Sequence, residues 1–191
     1  MDLCAESIGA VLPEAAAAGI TLTIENTFFV APQHWDGGSG ISGRPPESAV
    51  TVYDDMGKIC KLIDGFASPF VAGCFDVGHA HYLGDVASDF AKMGERIKLY
   101  HIHDNNTARD MHLPPGYGTL DWELFGGLIR SDKSDYYAYI EADPWTPGQY
   151  GHMIRETNAL LNGGRRGSNK RCLKCGHLIS VDNEGEFCAC V

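Results

Sequence analysis

The chain has 191 residues, 44% of them hydrophobic, with 15 Lys and Arg against 25 Asp and Glu and a formal net charge of −10. That length suits one sizeable core and a small appendage; no apolar run approaches the ~20 residues that span a bilayer, and the first residues lack a secretory pattern. A cytoplasmic globular protein is expected, and its body, with 10 basic against 22 acidic residues over 1–162, disfavours a phosphate backbone as partner; residues 163–191 hold 5 against 3.

In chain order, strand-like and helix-like stretches alternate. Met1 to Gly19 reads as a helix, with Leu3, Ile8, Val11 and Leu12 at helical spacing, made kinked or two-part by Pro13. Short apolar runs follow at Ile20–Ile24, Phe70–Phe75, Ile97–Tyr100 and Tyr136–Ile140, each with the pattern of a buried parallel strand. Between and after them, helices are expected over Glu47–Phe66, Asp85–Gly94, Asp121–Ser131 and Gly148–Leu161. Asn26 to Pro46, rich in glycine and carrying Trp35, reads as a long loop after the first strand, of the kind that covers active sites. Such alternation implies a parallel α/β sheet.

Each strand run leads into an acid or a histidine: Glu25, Asp76 with His79, His101 with His103, and Glu141. Strand ends of a parallel sheet converge on one face, so these groups from four strands can meet in one pocket. Carboxylates with one imidazole would suit Mn²⁺, Mg²⁺, Co²⁺ or Zn²⁺ rather than a soft metal. Without a cation the crowded acids are expected to repel one another and rise in pKa. Each acid alone reads equally well as a helix cap, and His103, two residues beyond His101, either faces the same pocket or lines the barrel mouth as a satisfied side chain.

Joint motifs sharpen this: Thr23-Ile-Glu-Asn26, Phe75-Asp-Val-Gly-His-Ala-His81, Tyr100-His-Ile-His-Asp-Asn105, the run from Arg109-Asp-Met-His112 through Leu113-Pro-Pro-Gly-Tyr-Gly118 to Trp122, and Tyr139-Ile-Glu-Ala142. Over residues 1 to about 162 the chain resembles the carboxyl-terminal half of xylose isomerase-like TIM barrels, a group with sugar-phosphate isomerases and epimerases and, more distantly, endonuclease IV. The resemblance implies that Glu25, Asp76, His101 and Glu141 ligate a divalent metal, with Glu25 and Glu141 also serving as the acid/base pair. It implies that His79 binds a substrate hydroxyl. Asp110 and His112 match an element that lies near substrate in the sugar branch and holds an extra zinc in the endonuclease branch. The 113–118 turn is expected to fix backbone shape, and Trp122 to pack the following helix.

The expected fold is thus a partial (β/α)8 TIM barrel, about its last four βα units, plus an appendage. A whole barrel takes about 250 residues, which leaves three readings open: a homodimer that closes the barrel, a separately encoded first half-barrel, or a truncated gene product. Residues 163–170 read as a flexible linker. Residues 171–191 resemble a zinc ribbon, with Cys172, Cys175, Cys188 and Cys190 as Zn²⁺ ligands and His177 able to replace one thiol. Cys4, Cys60 and Cys74 read as structural thiols. The leading functional expectation is a metal-dependent sugar or sugar-phosphate isomerase/epimerase domain. The alternatives are an endonuclease IV-like phosphodiesterase acting on abasic DNA and an inactive half-barrel binding module.

Overall fold

The computed structural model describes residues 2–27, 55–108, 110–142 and 149–164, and the strand residues 170–171, 178–182 and 185–187. Strands β1 (Leu22–Glu25), β2 (Val71–Asp76), β3 (Ile97–Ile102) and β4 (Tyr137–Ile140) form a parallel sheet in the order β1-β2-β3-β4. Helices α1 (Asp2–Ala17), α2 (Met56–Gly65), α3 (Val77–Leu83), α4 (Val86–Met93), α5 (Trp122–Ser131) and α6 (Tyr150–Leu161) accompany them, with a 3₁₀ turn at Gly94–Arg96. The parallel α/β expectation therefore holds for the described residues, and the four-stranded sheet is consistent with part of a barrel. Strands β5 (Lys170–Arg171), β6 (Leu178–Asp182) and β7 (Gly185–Phe187) make a separate three-stranded antiparallel sheet.

Several boundaries differ from expectation for local reasons. Pro13 does not divide α1, which runs as one helix. Helix α2 begins nine residues later than Glu47, because extended Asp55 caps it, its carboxylate accepting from Lys58 N at 3.1 Å. β3 extends to Ile102, so His101 lies within the strand rather than beyond it. Helix α3 was not expected at all: its seven residues include Gly78 and two histidines, and it depends on Asp76 as N-cap, whose side chain accepts from His79 N at 2.7 Å. The expected lid loop from residue 28 onward, the expected start of α6 at Gly148, and the four clustered cysteines lie outside the described residues.

The core lies on the helix side of the sheet. Phe75, Tyr100, Phe125, Ile59, Met93 and Ile97 are fully buried there. Register places Phe75 beside Tyr100 and Tyr100 beside Ala138, so towards the strand ends alternate residues face the helices and the intervening ones the opposite side. The register shift between Gly73 and Cys74 sets Ile97 beside Gly73, on the same side as Phe75. Tyr100 is the hub, edge-on to Phe75, Phe125 and Tyr136 at 6.3, 6.3 and 4.9 Å; such pairs add about 0.5–1.5 kcal/mol each beyond burial. Its hydroxyl donates to Asp132 Oδ2 at 2.6 Å, where α5 has ended, and Ser134 N donates to Asp132 Oδ1 at 2.8 Å.

Burial would raise the Asp132 pKa, but those donors outweigh it and leave it below 3.8. A carboxyl lowered on folding stabilises above its unfolded pKa and loses that contribution as pH falls through the lowered value. Tyr100→Phe is therefore expected to cost about 1 kcal/mol in urea unfolding at pH 7, and the deficit should shrink in acid. A deficit that is the same at pH 3 and pH 7 would show that the hydroxyl does not act through Asp132.

Candidate metal centre

The alternation that buries Phe75 and Tyr100 on one side turns Asp76 and His101 to the other. Glu25 is the last residue of β1 and Asp76 the last of β2, while His101 stands next to last in β3 and Glu141 directly follows β4. Asp76 is the register partner of His101, and Glu141 N donates to Ile102 O at 3.0 Å, carrying the ladder one residue further. One ligand atom from each of Glu25, Asp76, His101 and Glu141 can be chosen so that all lie within 4.8 Å of one another. His101 Nδ1 is 2.8 Å from Glu141 Oε2, 3.5 Å from Glu25 Oε1 and 3.8 Å from Asp76 Oδ2.

A second set adjoins it. His79, His103, Asp110 and His112 likewise offer atoms mutually within 4.8 Å. His79 Nε2 and His112 Nε2 lie 3.3 and 3.0 Å from the same oxygen, Asp110 Oδ2. Both rings are turned by backbone carbonyls, His79 Nδ1 meeting Asn26 O at 2.9 Å and His112 Nδ1 meeting Glu141 O at 2.8 Å. A carbonyl only accepts, so each Nδ1 carries its proton and each Nε2 faces the carboxylate. His103, fully buried, places Nε2 3.0 Å from Asp76 Oδ1 and Nδ1 3.6 Å from Asp110 Oδ1, its ring stacked on His112 at 4.0 Å. Gly78 makes room for it, since a Cβ there would overlap the His103 ring.

Glu25 does not rise in pKa as crowding by acids would have it, because imidazoles surround it. Burial would raise Glu25, yet hydrogen bonds and charge from His101 and His79 bring it to about 2. Asp110 is held well below the carboxylate range: burial raises it, and His112 and His79 more than reverse that. Burial would in turn lower His79 and His112, but Asp110, with Glu25 for His79, lifts them to about 11 and about 9. His101 is raised chiefly by Glu25. Cys74, near Glu25 and His101, is pushed far up by burial and then by the surrounding carboxylates, so it stays a protonated structural thiol.

The donor set fits a divalent cation. Asp76 Oδ2, His101 Nδ1 and Glu141 Oε2 are buried without an aligned hydrogen-bond partner, and buried polar atoms in folded proteins are rarely left so. Carboxylate oxygens with one imidazole are the ligands of a hard or borderline ion.

Two framing residues carry no sequence signal of their own chemistry. The Asn26 side chain donates to Asp76 O at 2.9 Å and accepts from Asp76 N at 2.8 Å, extending the β1–β2 ladder past the end of β1. Asp104, fully buried, accepts from Gly116 N, Leu120 N and Trp122 Nε1 at 3.1, 3.1 and 2.8 Å, which folds the 105–121 segment back so that Asp110 and His112 reach His79. Trp122, expected only to pack a helix, also supplies one of these donors. His112 itself sits at φ 45°, a left-handed conformation that costs a histidine about 1 kcal/mol and clusters at functional sites.

Residues 1–160 match the xylose isomerase-like TIM barrel family. The chain belongs to that family. Solved structures share the fold: a D-tagatose 3-epimerase-like protein at TM-score 0.62 and 20% identity, covering 83% of this chain and 54% of that one; D-psicose 3-epimerase in the presence of D-fructose at 0.55 and 18%, covering 79% and 45%; and the E. coli 3-keto-D-glucoside 4-epimerase YcjR at 0.57 and 17%, covering 81% and 52%. The chain thus spans about half the length of the structures it matches. An uncharacterized protein, y4fM, of Sinorhizobium fredii (strain NBRC 101917 / NGR234) is 39% identical over 72 residues, 37% of this chain and 23% of that protein.

In this xylose isomerase-like chain, Glu25, Asp76, His79, His101, Asp110, His112 and Glu141 all meet at one end of the sheet. No helix among the described residues is long and apolar enough to cross a membrane.

The ion pairs set a pH window for the cation-free chain. Glu25 is lowered, so its contribution is present above about 4.5 and lost as pH falls through about 2. His112 and His79 are raised, so theirs are present below about 6.5 and lost as pH rises through about 9 and then about 11. Thermal melts in chelator are expected to show a maximum between those limits and a decline by pH 9. A chelated chain as stable at pH 9 as at pH 6 would contradict the imidazole assignments.

Proposed function

We propose that this chain is the metal-binding part of a sugar or sugar-phosphate isomerase or epimerase, with one divalent cation held by Glu25, Asp76, His101 and Glu141. The observation that carries the reading is the convergence of those four residues within 4.8 Å, three of them contributing buried atoms with no aligned partner. Family membership and the shared fold with epimerases support it. When bound, Mn²⁺, Mg²⁺, Co²⁺ or Zn²⁺ would polarise neighbouring sugar oxygens and acidify the carbon between them.

The chain's own residues would then move the proton. Glu25 comes from β1 and Glu141 from beyond β4, the two outer strands of the described sheet, and in this reading their carboxylates would approach a substrate from opposite sides. Removal at one face of a carbon and return at the other inverts it; return to a neighbouring atom isomerises the sugar. In the cation-free chain Glu25 is ionised at neutral pH. His79, oriented by Asn26, and the Asp110–His112 pair would bind substrate hydroxyls.

Closure of the barrel belongs to the same proposal. β1 and β4 are the outer strands of the described sheet, and Tyr137 and Tyr139 on β4 are 81% and 60% exposed. A second copy or a separately encoded half-barrel would cover them and bring further substrate contacts. In the tail, Cys172, Cys175, Cys188 and Cys190 would hold Zn²⁺; the first pair falls in sequence between β5 and β6 and the second directly after β7, an order that suits a zinc ribbon after a linker. A cytoplasmic setting, where thiols stay reduced, agrees with that use of cysteine.

A second reading draws on the set of His79, His103, Asp110 and His112: with a further cation there, the site would suit a phosphodiesterase acting on abasic DNA. The net charge of −10 weighs against it, and the reading requires salt-sensitive, abasic-specific duplex binding.

The test has two parts. Elemental mass spectrometry should find a divalent ion in addition to any zinc in the cysteine tail, lost in Asp76→Ala. With ketoses in D₂O and Mn²⁺, Glu25→Gln and Glu141→Gln should each cut deuterium incorporation by about a hundredfold or more. Incorporation unchanged in both variants would end the two-glutamate mechanism.

A further inference from the structure

We infer that Asn26 is a positioning residue for the metal centre, holding Asp76 and His79 in the geometry the ligand sets need; the inference rests on the metal reading above. Asn26 is 2% exposed, follows Glu25 directly, and makes no use of solvent. Strand pairing between β1 and β2 ends at Glu25 and Cys74. Beyond that point the Asn26 amide takes over the ladder, with Nδ2 on Asp76 O at 2.9 Å and Oδ1 on Asp76 N at 2.8 Å. Both main-chain groups of Asp76 are thereby fixed by one side chain.

The Asp76 carboxylate is then divided by its surroundings. Oδ1 caps α3 through His79 N at 2.7 Å and lies 3.0 Å from His103 Nε2. Oδ2 has no aligned partner and faces His101 Nδ1 at 3.8 Å. The Asn26 main-chain carbonyl, retained in both Asn26→Ala and Asn26→Asp, accepts from His79 Nδ1 at 2.9 Å, which commits the Nδ1 proton and aims Nε2 at Asp110. One residue thus orients a ligand carboxylate and the neighbouring imidazole. Only a short amide carries a donor and an acceptor side by side at this reach: aspartate would set a second acceptor against Asp76 O, and alanine would leave both main-chain groups bare. Outer partners of metal ligands commonly govern affinity by ten- to a hundredfold.

The test uses the full chain without added zinc and reads Mn²⁺ binding by electron paramagnetic resonance, since Mn²⁺ disfavours the thiolates of the tail. Asn26→Ala and Asn26→Asp are each expected to weaken Mn²⁺ binding at least tenfold. Amide hydrogen exchange without Mn²⁺ supplies a readout that needs no cation: protection of the Asp76 N–H should fall at least tenfold while that of Tyr100 N–H in the core is kept. Mn²⁺ affinity within twofold of the parent in both variants would overturn the inference. So would Tyr100 and Asp76 losing protection together, which marks a residue that merely supports the fold. If the parent chain itself binds no Mn²⁺ the metal reading falls, and the exchange measurement still decides whether Asn26 holds the Asp76 main chain.

Discussion

Like charges gathered at the end of a parallel sheet need positive charge among them, and the rest of this site follows from how that need is met. Glu25, Asp76 and Glu141 stand within a few ångströms of one another, on the order of several kcal/mol of mutual repulsion at the dielectric of a protein surface. In the cation-free chain the compensation comes from imidazoles: His79, His101 and His112 all rise in pKa, and Glu25 and Asp110 fall. The histidines are thus both spectators of the acids and stand-ins for a cation. A cation entering the first set would displace protons, which is why affinity for such a site rises with pH.

Charge compensation works only if the groups are held, and the scaffold holds them through its main chain. Parallel register sets Asp76 beside His101. The Glu141 main chain continues the β3–β4 ladder through its N–H, while its carbonyl turns His112. The Asn26 carbonyl does the same for His79. The segments that carry the outer glutamates of the first set therefore also orient the two histidines of the second, so neither set can shift without disturbing the other.

The sequence made the strands legible because parallel strands are short and apolar, and Ile97–Tyr100 or Tyr136–Ile140 have no competing helical period; the expected burial does not hold for β4, an outer strand of the described sheet that is mostly exposed. It also made the ligand residues legible, since Asp76 and Glu25 sit where apolar runs stop. Helix α3 was not legible: its stability comes from Asp76 acting as its cap and from burial of Val77 and Ala80, and its own residues are poor helix formers. Asn26 and Asp104 were illegible for a related reason. Asn26 bonds a residue 50 positions away, and Asp104 gathers donors from 12 to 18 positions away, so nothing in their local pattern tells a buried clamp from a surface turn. The direction of the Glu25 pKa was misread because the acids were counted without the imidazoles that the fold brings from α3 and β3.

Asp104 shows how the second set is afforded its geometry. A fully buried carboxylate is costly unless several donors converge on it, and here two backbone N–H groups, the indole of Trp122 and its neighbour Asn105 N at 2.9 Å do so. That satisfaction ties the start of α5 to the end of β3 and leaves 105–121 no extended path between them. His112 is carried into its left-handed conformation by this closure, pinned at one nitrogen by Glu141 O and facing Asp110 with the other. The strain at His112 is therefore offset by a carboxylate that takes no part in either ligand set.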